Sequence, residues 1–117
     1  MHTLQIFNSE LALNRVSGKK QLLEKAITIF IKATKNRIEL ISNSISKNDY
    51  KTIRCEAHAI KGSALTIGAE QLGESARILE KSMQNNKVDD IPQLFLSVKD
   101  NYNGFIQTLS ENGYQVI

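Results

Sequence analysis

The chain is poor in three residue types: its 117 residues include one cysteine, one proline and no tryptophan. A lone cysteine cannot form an internal disulfide, so we expect a reducing compartment. No apolar run is long enough to cross a bilayer, and the first four residues lack the basic-then-apolar pattern of a secretory signal. These absences predict a cytoplasmic protein with no direct membrane insertion.

The chain also has no long run of residues of like charge. Fifteen basic and twelve acidic residues give a formal net charge of +3 and a pI near 9.1, and the two signs are interspersed along the chain. Mild, scattered basicity with few aromatic residues argues against a nucleic-acid-binding surface. A basic RNA-binding bundle is therefore a weak alternative.

Glycine and proline are scarce and fall between segments of helical periodicity, which predicts an all-α fold. Apolar residues recur at steps of three and four in four long segments, and 117 residues suffice for one domain. We predict a single domain over residues 1–117, an antiparallel four-helix bundle with a short extra N-terminal helix. The approximate helices are 9–16, 18–46, 49–67, 69–85 and 91–112.

Three residues are expected to mark helix ends. Ser17 and Asn48 are of types that cap helix N-termini, so we place them before the second and third helices. Gly68 follows the last apolar residue of the third helix, and glycine accepts the left-handed conformation that ends many helices.

The helix over 49–67 carries the residues that indicate a function. Its apolar stripe is Ile53, Ala57, Ile60, Ala64 and Ile67. At about 100° per residue, His58 points roughly 140° away from the centre of that stripe, toward solvent. On or beside the same outward side lie Lys51, Arg54, Cys55, Lys61, Gly62 and Leu65.

This outward side has the parts needed to hold a phosphoryl group. Neutral imidazole is a nucleophile, and Lys61, one turn from His58, can pair with phosphoryl oxygens. Gly62 removes side-chain bulk where a partner would approach, and Leu65 offers apolar contact. Each feature alone is more commonly a surface histidine, a solvated lysine, a packing glycine or a stray exposed leucine; the shared face is what favours a function.

The pattern resembles the histidine-containing phosphotransfer (HPt) domain family. The central motif matches over about twenty residues, and the opening segment is similar too, so the resemblance covers nearly the whole chain. Cys55 is a residue that the family pattern does not require. The matching residues are His58, Ile60, Lys61, Gly62, Ser63, Gly68, Ala69, Leu72, Leu79 and Glu80, with Phe7, Asn8, Leu11, Gly18, Leu22 and Leu23 before them.

The resemblance implies a phosphorelay intermediate in two-component signal transduction. His58 would accept a phosphoryl group from a receiver-domain aspartate and pass it to another receiver, with Lys61 stabilising its charge. The partners implied are receiver domains of response regulators and of a hybrid sensor histidine kinase, and Mg²⁺ is expected in the receiver. Contacts to the partner are expected from Lys51, Arg54, Cys55, Gly62 and Leu65.

The chain is not expected to be an enzyme in the ordinary sense, because it has no ATP-binding motif. No cofactor and no metal site are predicted, since the only histidines are His2 and His58 and the one cysteine has no ligand-spaced partner. We expect a monomer that binds no nucleic acid.

Two other functions remain open from the sequence. One is the phosphoacceptor domain of a chemotaxis-type kinase, and the other is a non-catalytic helical adaptor in which His58 is incidental. The residues do not distinguish a protein that stands alone from the C-terminal domain of a hybrid sensor kinase.

Overall fold

The computed structural model describes residues 3–116; Met1, His2 and Ile117 lie outside the described residues. Within that range the chain forms helices and no strand, so the predicted all-α class is confirmed. None of these helices is long and apolar enough to span a membrane. The helices are α1 (Ser9–Arg15), α2 (Lys20–Ser46), α3 (Tyr50–Ile67), α4 (Glu70–Gln84) and α5 (Ile91–Glu111).

The four long helices form a bundle around one apolar core. Each packs on the next, α5 returns to α2, and α1 lies against α2 and α3. Short connections make neighbouring helices antiparallel. The apolar stripe predicted for α3 is buried along its whole length, while α2 and α5 meet through Phe30 and Phe105, whose rings pack edge to face at 5.6 Å. This burial fixes which side of α3 faces solvent.

Both predicted N-caps are wrong. Ser17 and Asn48 both adopt left-handed backbone conformations, with φ of 55°. Lys19 occupies the N-cap position of α2, and Asp49 caps α3 by accepting a hydrogen bond from Thr52 N at 3.2 Å. The turn before α2 places two residues with positive φ ahead of the cap, Ser17 and Gly18, and the turn before α3 places one, Asn48; glycine and asparagine tolerate this conformation better than most residues. The cap therefore moves at least one position along the chain.

Gly68 ends α3 as predicted, with φ of +87°. The same glycine also makes room for the N-terminal segment, because a Cβ atom here would lie 2.7 Å from the carbonyl oxygen of Asn8. Asn8 N donates to Gly68 O at 2.7 Å, and Glu70 accepts from Gln5 N at 2.9 Å and from Asn8 Nδ2 at 3.0 Å. The N-terminal segment thus holds the turn that sets α3 against α4.

Candidate functional site

His58 lies on the solvent side of α3, as its position relative to the apolar stripe predicts. Its side chain is 66% exposed, while its sequence neighbour Ala57 is fully buried. Because Ala57 and Ile60 anchor the helix in the core, the rotation of α3 is fixed and the imidazole stays at the surface. The ring is therefore accessible to another macromolecule.

The imidazole is held from one side by Glu80 of α4. His58 Nδ1 lies 2.7 Å from Glu80 Oε2, and Lys61 Nζ donates to Glu80 Oε1 at 2.8 Å. The Glu80 side chain is only 9% exposed. One buried carboxylate therefore joins the two residues of α3 that the sequence marked for chemistry.

The surroundings of Glu80 keep its carboxyl group ionised. Burial raises the pKa of Glu80, but the hydrogen bonds from Lys61 and His58 outweigh that effect, and the pKa lies below its ordinary value. An ionised carboxylate only accepts hydrogen bonds, so Nδ1 of His58 must carry the proton. In neutral imidazole the lone pair is then on Nε2, which makes Nε2 the nucleophilic atom.

Lys61 is one turn from His58 and is 26% exposed. We expected its ammonium group to meet a phosphoryl group; in the structure it is paired with Glu80. The contact fixes the ammonium group beside the imidazole instead of leaving it to move freely in solvent. Lys61 thus has a defined place at the site.

Two of the predicted partner-binding residues lie in the same cleft as His58. Arg54 and Cys55 line a depression of about 300 Å³ between α3 and α4, together with His58, Glu80 and Gln84. Cys55 is a free thiol, and it is exposed. Lys51 is exposed one turn before this cleft and is not part of its lining.

Gly62 and Leu65 share the outward face of α3 but lie toward different neighbouring helices. Gly62 faces α2 and lines a groove there with Ala26, Ile29 and Ala33. No heavy atom lies within 4 Å of the point where its Cβ would be, so close helix packing does not explain this glycine. Leu65 is 46% exposed and leans toward α4.

Sequence reasoning assigned no role to two residues of α4. The Leu65 side chain packs against Gly73, and a Cβ atom at Gly73 would lie only 2.8 Å from Leu65 Cδ2. The glycine therefore makes room for Leu65. Glu80 stood in the family resemblance beside Leu79, but its role was not identified. It lies 22 positions from His58, and periodicity along one helix carries no information on a contact between two helices.

No metal site is formed in the part of the chain that the structure describes. Residues 3–116 contain no group of three histidine, cysteine, aspartate or glutamate side chains placed to hold an ion. The site therefore consists of an exposed imidazole, a buried carboxylate and a lysine, a set suited to holding a transferred group.

Comparison with family models shows the family of the chain. The model described as the Hpt domain matches residues 25–109. The chain belongs to the Hpt domain family. Members of this family are phosphotransfer carriers of phosphorelays that interact with receiver domains and hybrid kinases, and this class of role extends to the present chain.

Solved structures share the fold at low sequence identity. Histidine-containing phosphotransfer protein B (HptB) from Pseudomonas aeruginosa PAO1 superposes with a TM-score of 0.85 at 14% identity, covering 94% of this chain and 96% of its own. The HPT domain of a sensor hybrid histidine kinase from Shewanella gives 0.71 at 19% identity, covering 93% and 97%. No curated protein sequence matches the chain. These likenesses support the bundle and do not by themselves assign site residues.

Proposed function

We propose that His58 is the phosphoacceptor of a phosphorelay carrier. It takes a phosphoryl group from the aspartyl phosphate of one receiver domain and delivers it to the aspartate of another. The observation that carries this proposal is the hydrogen bond from His58 Nδ1 to Glu80, which leaves Nε2 exposed with its lone pair.

The proposed transfer uses that geometry. Nε2 attacks the phosphorus atom in line, the bond between phosphorus and the aspartate oxygen breaks, and the carboxylate leaves. The ring gains positive charge as the new bond forms, because Nδ1 keeps its proton. Glu80, 2.7 Å away, stabilises that charge in the way a carboxylate stabilises a developing imidazolium. The second transfer reverses these steps.

The basic residues around His58 have supporting roles in the proposal. Lys61 lies beside the ring and can exchange its contact with Glu80 for one with a phosphoryl oxygen. Arg54 and Lys51 add positive charge along the same side of α3, while Cys55, Gly62 and Leu65 contribute contact surface. Mg²⁺ is expected in the receiver. We propose that the chain acts as a cytoplasmic monomer and uses no ATP of its own.

Labelling of purified protein tests the proposal. Phosphoramidate, and a receiver domain phosphorylated with acetyl phosphate, should each add one acid-labile phosphoryl group, detected by intact mass. His58→Gln should abolish the label and leave the circular dichroism spectrum and the unfolding midpoint nearly unchanged, because the side chain is exposed. Labelling that persists in this variant would overturn the assignment. A well-folded protein that neither donor labels would favour the adaptor function.

A further inference from the structure

Lys61, one turn after His58, is a cation that already has a partner. Its ammonium group lies 2.8 Å from Glu80 Oε1, and the Glu80 side chain is 9% exposed. If Lys61 turned to a phosphoryl group, this buried carboxylate would lose one of the donors that satisfy it, and an under-satisfied buried charge is costly. A phosphoryl group on His58 is therefore better bound by a cation that has no partner to give up.

Arg54, one turn before His58, is such a cation. Its side chain is exposed, and it forms no ion pair within residues 3–116. The one acidic residue of α3, Glu56, pairs with Arg37 of α2 at 2.7 Å instead. The guanidinium group of Arg54 is therefore available to an anionic ligand.

The depression beside the imidazole brings Arg54 and His58 together. Both residues line this space of about 300 Å³ between α3 and α4, with Cys55, Glu80 and Gln84. Side chains four positions apart lie on the same face of a helix, with about 5–6 Å between their Cβ atoms. A helical side chain also leans toward the N-terminus of its helix. The imidazole of His58 therefore leans over the turn that carries Arg54.

The chemistry of the two groups is complementary. Glu80 holds Nδ1 of His58, so the phosphoryl group is carried on the other ring nitrogen, Nε2. The planar guanidinium fork can bind two phosphoryl oxygens through parallel hydrogen bonds, whereas an ammonium group acts as a point charge. We propose that Arg54 binds the oxygens of the phosphoryl group on His58, so that Lys61 need not leave Glu80; this inference rests on the proposed function.

This role differs from the contact with a partner that was expected of Arg54. As the bond between phosphorus and nitrogen forms, the guanidinium group stabilises the negative charge on the phosphoryl oxygens. It does so by donating hydrogen bonds and gives up no proton. A group that binds the phosphoryl oxygens accelerates transfer from any donor, whereas a group that only contacts the partner accelerates transfer from a receiver domain alone.

A matched set of variants tests the role of Arg54. Arg54→Gln removes the cation, Arg54→Lys restores the charge without the fork, and Lys51→Gln removes an exposed cation one turn earlier, outside the depression. Each variant is labelled with phosphoramidate and with one receiver domain phosphorylated with acetyl phosphate, the fastest donor to the unmodified protein in a panel of receivers.

The two donors should report the same loss. We expect Arg54→Gln to slow labelling by phosphoramidate and by the receiver by a similar factor of about three to five, the size of one exposed charge contact. Arg54→Lys should recover part of the rate. Lys51→Gln should change labelling by phosphoramidate less than about twofold, because salt screens a charge that makes no contact.

Nitrogen NMR of the unmodified protein distinguishes the two cations. After labelling with phosphoramidate, the Nε–H resonance of Arg54 should shift and its exchange with water should slow, while the ammonium resonance of Lys61 stays in place. A shift at Lys61 with none at Arg54 would overturn the proposal and assign the phosphoryl oxygens to Lys61. This measurement does not depend on the folding of any variant.

The remaining outcomes separate this proposal from the proposed function. Slower transfer from the receiver alone would assign Arg54 to partner docking and overturn its contact with the phosphoryl group. Equal labelling of Arg54→Gln and the unmodified protein by both donors would also overturn that contact, while His58 remains the acceptor. Failure of both donors to label the unmodified protein would overturn the phosphotransfer proposal itself.

Discussion

The two flanks of α3 differ in chemistry. Toward α4 the residues of α3 make polar and packing contacts: Glu80 binds His58 and Lys61, and Leu65 leans over Gly73. Toward α2 the surface is apolar and open, and Gly62 has no neighbour within 4 Å of its absent side chain. A carrier must fix its reactive atom and also leave space for its partner, and we propose that the two flanks of α3 divide these tasks between them.

The difference has a physical origin. A hydrogen-bonded carboxylate can be buried on the α4 side because two donors satisfy it, whereas an unsatisfied one would be costly there. On the α2 side, the exposed apolar side chains have no neighbour within the chain that covers them. Satisfied polar networks make a region rigid, whereas exposed apolar surface is typical of sites that bind other molecules.

The largest expected effect comes from removing the polar flank. Glu80→Leu deletes the acceptor of both hydrogen bonds, so the proton of His58 is free to move to Nε2 and block the nucleophilic atom. We expect phosphoryl transfer to fall about 10–100-fold, by analogy with the loss of a residue that orients a metal-binding histidine. Nitrogen NMR of the imidazole should show protonation at Nδ1 in the unmodified protein and a mixture of both tautomers in the variant.

Glu80→Gln separates orientation from charge. Its amide oxygen can still accept from Nδ1, so we expect it to keep the tautomer and to recover only part of the rate. Because the pKa of Glu80 is lowered on folding, its contribution to stability is present in full above the ordinary value of 4.5 and is lost as pH falls through the folded pKa. The difference in unfolding free energy between the unmodified protein and Glu80→Gln should therefore shrink only below about pH 4.5. A difference that shrinks already between pH 7 and pH 5 would contradict the ionised pair.

A smaller effect, on stability, is expected from adding a side chain at the contact between α3 and α4. Gly73→Leu would force a side chain into the place of Leu65, whose Cδ2 would lie 2.8 Å from the new Cβ. Overpacking of this kind lowers the free energy of unfolding by about 1–3 kcal/mol. Urea denaturation should show this loss. A gain in stability would mean that Leu65 swings into solvent freely and that this flank is less filled than the structure indicates.

The smallest effect on the free energy of unfolding is expected on the α2 flank, where the substitution should stabilise the protein instead of destabilising it. Gly62→Ala should raise the free energy of unfolding by about 0.5–1 kcal/mol, because alanine favours helix and meets no neighbour. Gly104 of α5 is a matched control, since it is helical and equally open. Gly104→Ala should give a similar gain in the same urea experiment. If Gly62→Ala also slows receiver transfer and Gly104→Ala does not, the glycine serves partner access at a cost in stability.

Much of the fold could be predicted from local patterns. The buried stripe of α3, the end of that helix at Gly68 and the outward position of His58 all follow from spacing along one helix. The errors lie at the turns before α2 and α3, where left-handed residues stand ahead of the cap: Ser17 and Gly18 before α2, and Asn48 before α3. Cap propensity alone does not show that arrangement.

For the site, the sequence determined which side chains of α3 face outward together, because burial of an apolar stripe fixes the rotation of a helix. The roles of Lys51, Arg54, Cys55, Gly62 and Leu65 in partner binding remain predictions.

Only the tertiary structure decided that Glu80 meets His58 and Lys61, that Gly73 admits Leu65 and that Gly62 borders a groove with Ile29. Such contacts depend on the register and rotation of two helices against each other. These are set by packing of the whole core, and no pattern within a single helix encodes them.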